Sequence, residues 1–178
     1  EDMPLDNLLS NMAKRLTDII GAIFGLMISA PIIAAMAISI KREDGGPIFY
    51  KQIRTGYMGR PFTIYKIRSM RVDAEAHGTG WTVENDPRRL KVGEFMRKYN
   101  IDEVPQFWNV LKGDMSLVGP RPERPEHIQS LEREIKRYNK RHHVKPGLTG
   151  WAQVNGLRGD TSLTERIRYD IFYIENAN

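Results

Sequence analysis

Residues 19 to 40, IIGAIFGLMISAPIIAAMAISI, constrain this chain more than any other feature: 22 consecutive positions carry no charged side chain. As a straight helix they would reach ~33 Å at ~1.5 Å per residue, close to the ~30 Å hydrocarbon core of a bilayer. A domain built from 178 residues has little with which to bury such a segment as a core helix. A cleaved signal peptide also fits poorly, because the apolar stretch is too long and continues past its small residues. The segment therefore reads as membrane-embedded.

Two details shape how it sits there. Pro31 lies near the middle, lacks an N–H and disfavours helix at Ala30, while the Ser29 hydroxyl is placed to satisfy freed backbone groups. Lys14 and Arg15 precede the segment and Lys41 and Arg42 follow it, whereas a spanning helix normally keeps its basic flank on one side. A re-entrant helix–break–helix hairpin, entering and leaving by one face, accounts for both details. A kinked spanning helix accounts for the first alone.

The rest of the chain predicts an α+β fold, a small and mostly helical domain with a short β-hairpin and interfacial amphipathic helices. Leu5, Leu8, Leu9, Met12 and Leu16 fall at helical spacing. Residues 48 to 54 and 62 to 68 read as strands joined through Gly56, Gly59 and Pro61. Residues 72 to 90 read as a long loop, 91 to 99 and 103 to 112 as short helices, and 126 to 141 as a charged helix. Residues 145 to 160 read as loop, and 162 to 175 as a last amphipathic helix. The expected organisation is an anchor over residues 1 to 42 and a catalytic region over 43 to 178, forming one structural unit. The chain starts at Glu1 without a methionine, so a piece of a longer protein is expected.

Charge narrows the partners. With 27 Lys+Arg against 22 Asp+Glu the net charge is +5, which suits phosphates or an acidic membrane surface. Nucleic acid is not expected, because the basic residues are dispersed along the chain and such a role leaves the apolar segment unexplained. The absence of cysteine excludes disulfides and cysteine-based zinc sites, and His142 and His143 lack metal-ligand spacing.

Four stretches could carry chemistry. Asp102 and Glu103 stand where a helix begins; an N-cap is the plain reading, but Pro105 offers no N–H to be capped. An ionised Asp there is also a competent nucleophile toward phosphorus and can share Mg²⁺ with phosphate oxygens. Arg121, held between Pro120 and Pro122, is shaped to grip a phosphate bidentately, with a surface turn as the alternative. Lys66, Arg68 and Arg97 could complete an anion site, though each also reads as an ordinary solvated charge. Gln153 and Asn155 could read a sugar or base and Arg158 a phosphate, in a glycine-rich loop that otherwise reads as a tight connector packed by Trp151.

Taken in order, "KIRSM", "DEVPQFWNVLKGDMSLVGPRP" and "KPGLTGWAQVNG", following a proline-broken hydrophobic segment, resemble the bacterial sugar transferase family, the monotopic polyprenyl-phosphate phosphoglycosyl transferases. The resemblance covers roughly residues 12 to 175 and is most specific from Asp102 to Pro122. It implies a re-entrant membrane segment and a site at the cytoplasmic face of the bacterial inner membrane. It implies that Asp102 attacks the β-phosphate of a UDP-sugar, releases UMP and forms a covalent ester that undecaprenyl phosphate then attacks, with Glu103 and Mg²⁺ assisting. Arg121 is implied to grip a phosphate, and Arg97 and Lys66 match basic positions nearby. Larger members carry an N-terminal membrane region, and homo-oligomer formation is left open. This chain has Ala30 where members commonly place Ser before the proline, and Leu157 intervenes between "QVNG" and Arg158.

Overall fold

The computed structural model describes residues 5–74, 86–159 and 161–176. Its first element, α1 (Leu5–Glu43), is a single helix of 39 residues, ~58 Å long at ~1.5 Å per residue. The expected interruption at Pro31 is absent, and the two apolar halves form one element. The proline removes one N–H and leaves the Met27 carbonyl without its helical donor. Nearby, the Ser29 hydroxyl is bonded back onto the Gly25 carbonyl at 2.6 Å. One missing bond is a small loss against the rest of a long ladder, so the helix passes through.

After α1 come an antiparallel hairpin, β1 (Phe49–Thr55) and β2 (Pro61–Ile67), then α2 (Lys91–Lys98) and α3 (Gln106–Lys112). The strand and helix expectations hold here to within a few residues. α3 stops at Gly113, whose φ of 95° is the left-handed conformation glycine adopts without strain. Of the expected loop over 72 to 90, residues 75 to 85 lie outside the described residues. At its ends Met70 pairs with Arg89, and the Leu90 N–H donates to the Ser69 carbonyl at 3.1 Å.

The C-terminal part departs further from expectation. The charged helix α4 (Pro125–Glu134) ends well before residue 141: Ile135 is already extended, Arg137 then takes a left-handed φ of 65°, and a 3-10 turn follows over Tyr138–His143. The stretch read as loop over 145 to 160 contains β4 (Gly147–Thr149) and the short α5 (Trp151–Val154). β4 pairs in parallel with β3 (Ser116–Val118), joining the two glycine-rich motifs backbone to backbone. A Cβ on Gly147 would lie 2.0 Å from the Gly119 nitrogen, so the glycines permit this close approach. α6 (Leu163–Asn176) closes the described chain.

α1 is bound to the body at both ends. Near its start, Arg15 donates to the carbonyls of Val110 and Leu111 at the end of α3, and Asp18 accepts from the Ser116 hydroxyl and the Leu117 N–H. Gly21 and Gly25 let Leu117 and the Phe107 ring pack directly on the helix, each within 2.5 Å of where a Cβ would stand. At its other end the Glu43 carboxylate accepts the N–H groups of Lys91 and Val92, satisfying orphan donors at the start of α2. Ala22 joins a core cluster with Ile64, Val110 and Met115, and Ile40 joins another with Ile67, Leu90 and Met96. A third cluster, Leu131, Tyr138 and Ile167, lies under α4 and α6. Among the described residues α1 alone is long and apolar enough to cross a bilayer, and only 11% of its apolar window is buried in the protein.

Candidate active site

The site is assembled where β2 ends. Ile67 turns into the core, which leaves Lys66 on the opposite face of the strand. Two residues on, α2 lies hard against the chain: a Cβ on Gly93 would sit 2.0 Å from the Ser69 carbonyl oxygen. That contact brings Arg97 over Ser69, and Arg97 Nε donates to the Ser69 hydroxyl at 2.9 Å. Asn100 reverses the chain with a left-handed φ of 55° and leads into a 3-10 turn over Ile101–Glu103. Ile101 and Val104 pack on the cluster around Ile67, which fixes the two carboxylates between them. Asp102 caps nothing.

The adjacent carboxylates meet opposite environments. Glu103 Oε1 accepts from Lys66 Nζ at 2.8 Å and from Arg121 at 2.6 Å, while Oε2 accepts from the same guanidinium at 3.1 Å. Burial alone would raise the Glu103 pKa, but Lys66 and Arg121 more than offset it and hold the group well below the usual carboxylate range. Asp102 is 7% exposed and accepts no side-chain hydrogen bond from another described residue. Burial pushes its pKa up and Glu103 adds to the rise, against the opposing pull of Lys66, Arg97 and Arg121. Burial likewise pulls the Lys66 and Arg97 pKa values down. Pairs of titratable groups driven apart in this way define distinct chemical roles. Here one carboxylate organises two cations, and the other stays basic and unpartnered beside them.

Arg121 reaches this cluster from the loop after β3. Its guanidinium forks onto Glu103 while 36% of its side chain remains exposed, leaving a face for a ligand. Arg68 does not join the cluster. It is 5% exposed and bonded to Asp44, to the Pro47 carbonyl and to the Met70 carbonyl, a latch between the end of α1 and the end of β2. Hydrogen bonding from Arg68 holds the Asp44 pKa down at about 2. Arg158 and Asn155 bond back onto the carbonyls of Gln153 and Trp151 in α5, and neither is bonded to Asp102 or Glu103. The buried Gln153 Oε1 has no partner among the described residues.

No cluster of three or more His, Cys, Asp or Glu capable of holding a metal occurs among the described residues. Asp102 is nevertheless a carboxylate not spent on an ion-pair hydrogen bond, and the neighbouring Lys66, Arg97 and Arg121 would tolerate a cation only when it brings substrate phosphates with it. A hard divalent ion that arrives with phosphate oxygens and waters needs little more from the protein. Sequence reasoning missed Ser69 as the partner of Arg97. It also missed Gln106, 2% exposed with an unpartnered Nε2, one helical turn beyond Asp102.

A buried, basic carboxylate ringed by Lys66, Arg97 and Arg121 is the equipment of a group-transfer enzyme working on phosphate esters. The family model for bacterial sugar transferases matches residues 9–178, and the chain belongs to that family. It is 46% identical over 169 residues to a UDP-glucose:undecaprenyl-phosphate glucose-1-phosphate transferase of Xanthomonas campestris pv. campestris, covering 92% of this chain and 35% of that protein. It is also 46% identical over 165 residues to a UDP-N-acetylgalactosamine-undecaprenyl-phosphate N-acetylgalactosaminephosphotransferase of Aeromonas hydrophila, covering 92% of this chain and 39% of that protein. A sugar transferase of Bacillus subtilis, EpsL, is 42% identical over 163 residues, with 92% of this chain and 78% of that protein covered. The chain thus spans little more than a third of the length of the first two relatives.

Proposed function

We propose that this chain transfers a sugar-1-phosphate from a UDP-sugar to undecaprenyl phosphate and releases UMP, the first membrane step in assembling a bacterial polysaccharide or glycoconjugate. The observation that carries the reading is the split dyad, with Glu103 committed to Lys66 and Arg121 and Asp102 buried, basic and unpartnered.

In this reading an Asp102 oxygen attacks the β-phosphorus of the donor. The bond from that phosphorus to the bridging oxygen breaks, UMP departs with the electron pair, and Asp102 becomes an acyl phosphate carrying the sugar. A phosphate oxygen of undecaprenyl phosphate then attacks the same phosphorus, and Asp102 leaves as the carboxylate. Lys66, Arg97 and Arg121 stabilise the equatorial phosphate oxygens in both displacements, and Glu103 holds Lys66 and Arg121 in place. Mg²⁺, held by Asp102 together with substrate phosphates, would neutralise charge on the diphosphate.

The lipid acceptor sets the address. The two flanks of the apolar segment are tied to the same body, Arg15 and Asp18 at one end and Glu43 and Asp44 at the other. Because α1 is unbroken, that arrangement supports a helix lodged from one face of the bilayer, the cytoplasmic face of the inner membrane, with the site at the interface. The test is the nucleotide released when the membrane-reconstituted protein meets a panel of UDP-sugars, Mg²⁺ and undecaprenyl phosphate. UMP is expected, and it disappears in Asp102→Asn; UDP as product would overturn phosphate transfer.

A further inference from the structure

The loop carrying Arg121 is held by its carbonyls, from β4, from the end of β1 and from the 3-10 turn after α4. The Pro120 carbonyl accepts the Gly147 N–H at 2.9 Å, the Pro122 carbonyl accepts Arg54 at 3.2 Å, and the Glu123 carbonyl accepts the Thr55 N–H at 2.9 Å. The Arg121 carbonyl accepts from Arg141 at 2.8 Å. Arg141 is 4% exposed, and its other donors are spent on Asp170 of α6 at 2.8 Å and on the Tyr138 hydroxyl at 3.1 Å. Asp170 is 3% exposed and stands on the inner face of α6 beside Ile167.

As a stabilising element this pair is a poor choice. Removing two charges from water costs several kcal/mol per ion, and well-packed apolar residues of similar volume do as well or better. Leu131, Tyr138 and Ile167 already supply an apolar setting that such residues could extend. What apolar residues could not supply is a donor at the Arg121 carbonyl. Pro120 and Pro122 fix φ on either side of Arg121, so the direction in which its side chain leaves depends on how that one peptide is held. The same residue then reaches Glu103 with both terminal guanidinium nitrogens.

We infer that Arg141 and Asp170 are positioning residues for Arg121: through the Arg121 carbonyl they aim its guanidinium at Glu103 and at the phosphate bound there. This rests on the reading of Arg121 as a phosphate-binding residue. The chain of contacts runs from α6 through Asp170 and Arg141 to the Arg121 backbone, and from its side chain to the dyad.

The test replaces the pair by apolar residues, Arg141→Met with Asp170→Leu, so that no buried charge is stranded. The double replacement is made in two backgrounds, with Arg121 present and with Arg121→Ala. With Arg121 present, kcat is expected to fall about tenfold or more, while the thermal midpoint stays near that of the parent. With Arg121 already removed, the same replacement is expected to change turnover by no more than about twofold, because the group being aimed is gone. Equal fold losses in the two backgrounds, or undiminished turnover with Arg121 present, would overturn the inference and leave the pair purely structural. Should the double replacement fail to fold, the isosteric Asp170→Asn is carried through the same two backgrounds and judged on turnover alone, since it leaves the buried Arg141 charge unpaired and lowers the midpoint by itself. An Arg121→Ala variant with normal turnover would remove Arg121 from the site and the inference with it. A loss from Arg121→Ala together with additive effects of the pair would overturn the positioning role alone.

Discussion

Asp102→Asn is expected to abolish turnover and at the same time to make the protein harder to melt. Folding buries the Asp102 carboxyl and raises its pKa above the ordinary value of 3.8. A carboxyl with a raised folded pKa contributes stability while it is protonated, below its unfolded pKa, and loses that contribution as pH rises through its folded pKa. At neutral pH the wild-type protein therefore bears the cost of a buried negative charge. Asn removes the charge at nearly the same volume and sacrifices no side-chain hydrogen bond from a described residue. Each unit of upward shift is worth about 1.4 kcal/mol. In a chain of this size ~1 kcal/mol moves the melting midpoint by ~2–4 °C, so each unit emerges as roughly 3–6 °C. The assay is thermal unfolding of both proteins in one lipid–detergent mixture across a pH series, alongside UMP release. The two melting curves should coincide near the unfolded carboxyl value, about pH 4, part as pH rises, and run parallel once folded Asp102 is ionised. A variant that melts at or below wild type throughout, or a gap independent of pH, would refute the account of Asp102 as a carboxylate whose burial outweighs the pull of Lys66, Arg97 and Arg121.

Glu103→Gln should move the whole pH–rate profile toward acid. Lys66 loses the charge that opposes its burial and Asp102 loses an upward push, so both limbs descend; an unmoved alkaline limb would contradict the pairing. Arg68→Gln should cost about 2–3 kcal/mol of stability, the scale of charge-assisted hydrogen bonds, with KM for the UDP-sugar unchanged. A raised KM without loss of stability would return Arg68 to phosphate binding. Gly147→Ala should destabilise by about 1–3 kcal/mol and depress turnover, because the added Cβ meets the Gly119 backbone at 2.0 Å. A melting point within error of wild type would show that β3 and β4 can separate freely.

The local features were legible where a residue's meaning depends on its immediate neighbours. The Gly56, Gly59 and Pro61 cluster between two short strand-like runs located the hairpin, and Gly113 marked the end of α3. The two carboxylates stood out beside Pro105 even though neither caps a helix. What depends on distant parts of the chain was hidden. The glycines at 119 and 147 look like a cradle for a ligand, yet each makes room for the other's backbone across β3 and β4. Lys66 and Arg68 look equivalent from a strand pattern, but β2 ends at Ile67 and only Lys66 reaches Glu103. Nothing local warns that Ile135 will turn extended and end the charged helix early, or that Arg137 will then turn left-handed. One signal was available and unused: Asp170 falls among Ile167, Ile171 and Ile174, on the apolar stripe of an amphipathic helix, where a charge needs a reason.

The two-ended attachment of α1 bears on how the protein comes into being. Ala22 and Ile40 are completely buried, and the other buried residues of their clusters all follow α1 in the chain. The ribosome delivers the membrane helix first, and the surfaces it needs, from Ile64 to Leu117, arrive only afterwards. Lipid can satisfy a helix on its own, since all of its backbone bonds but the one at Pro31 are internal. The later elements have no such refuge until they meet it. Assembly is thus directional, with a lipid-held rod serving as the template on which the catalytic body condenses, and a water-soluble form made by deleting that rod would begin life with two of its three cores unfinished.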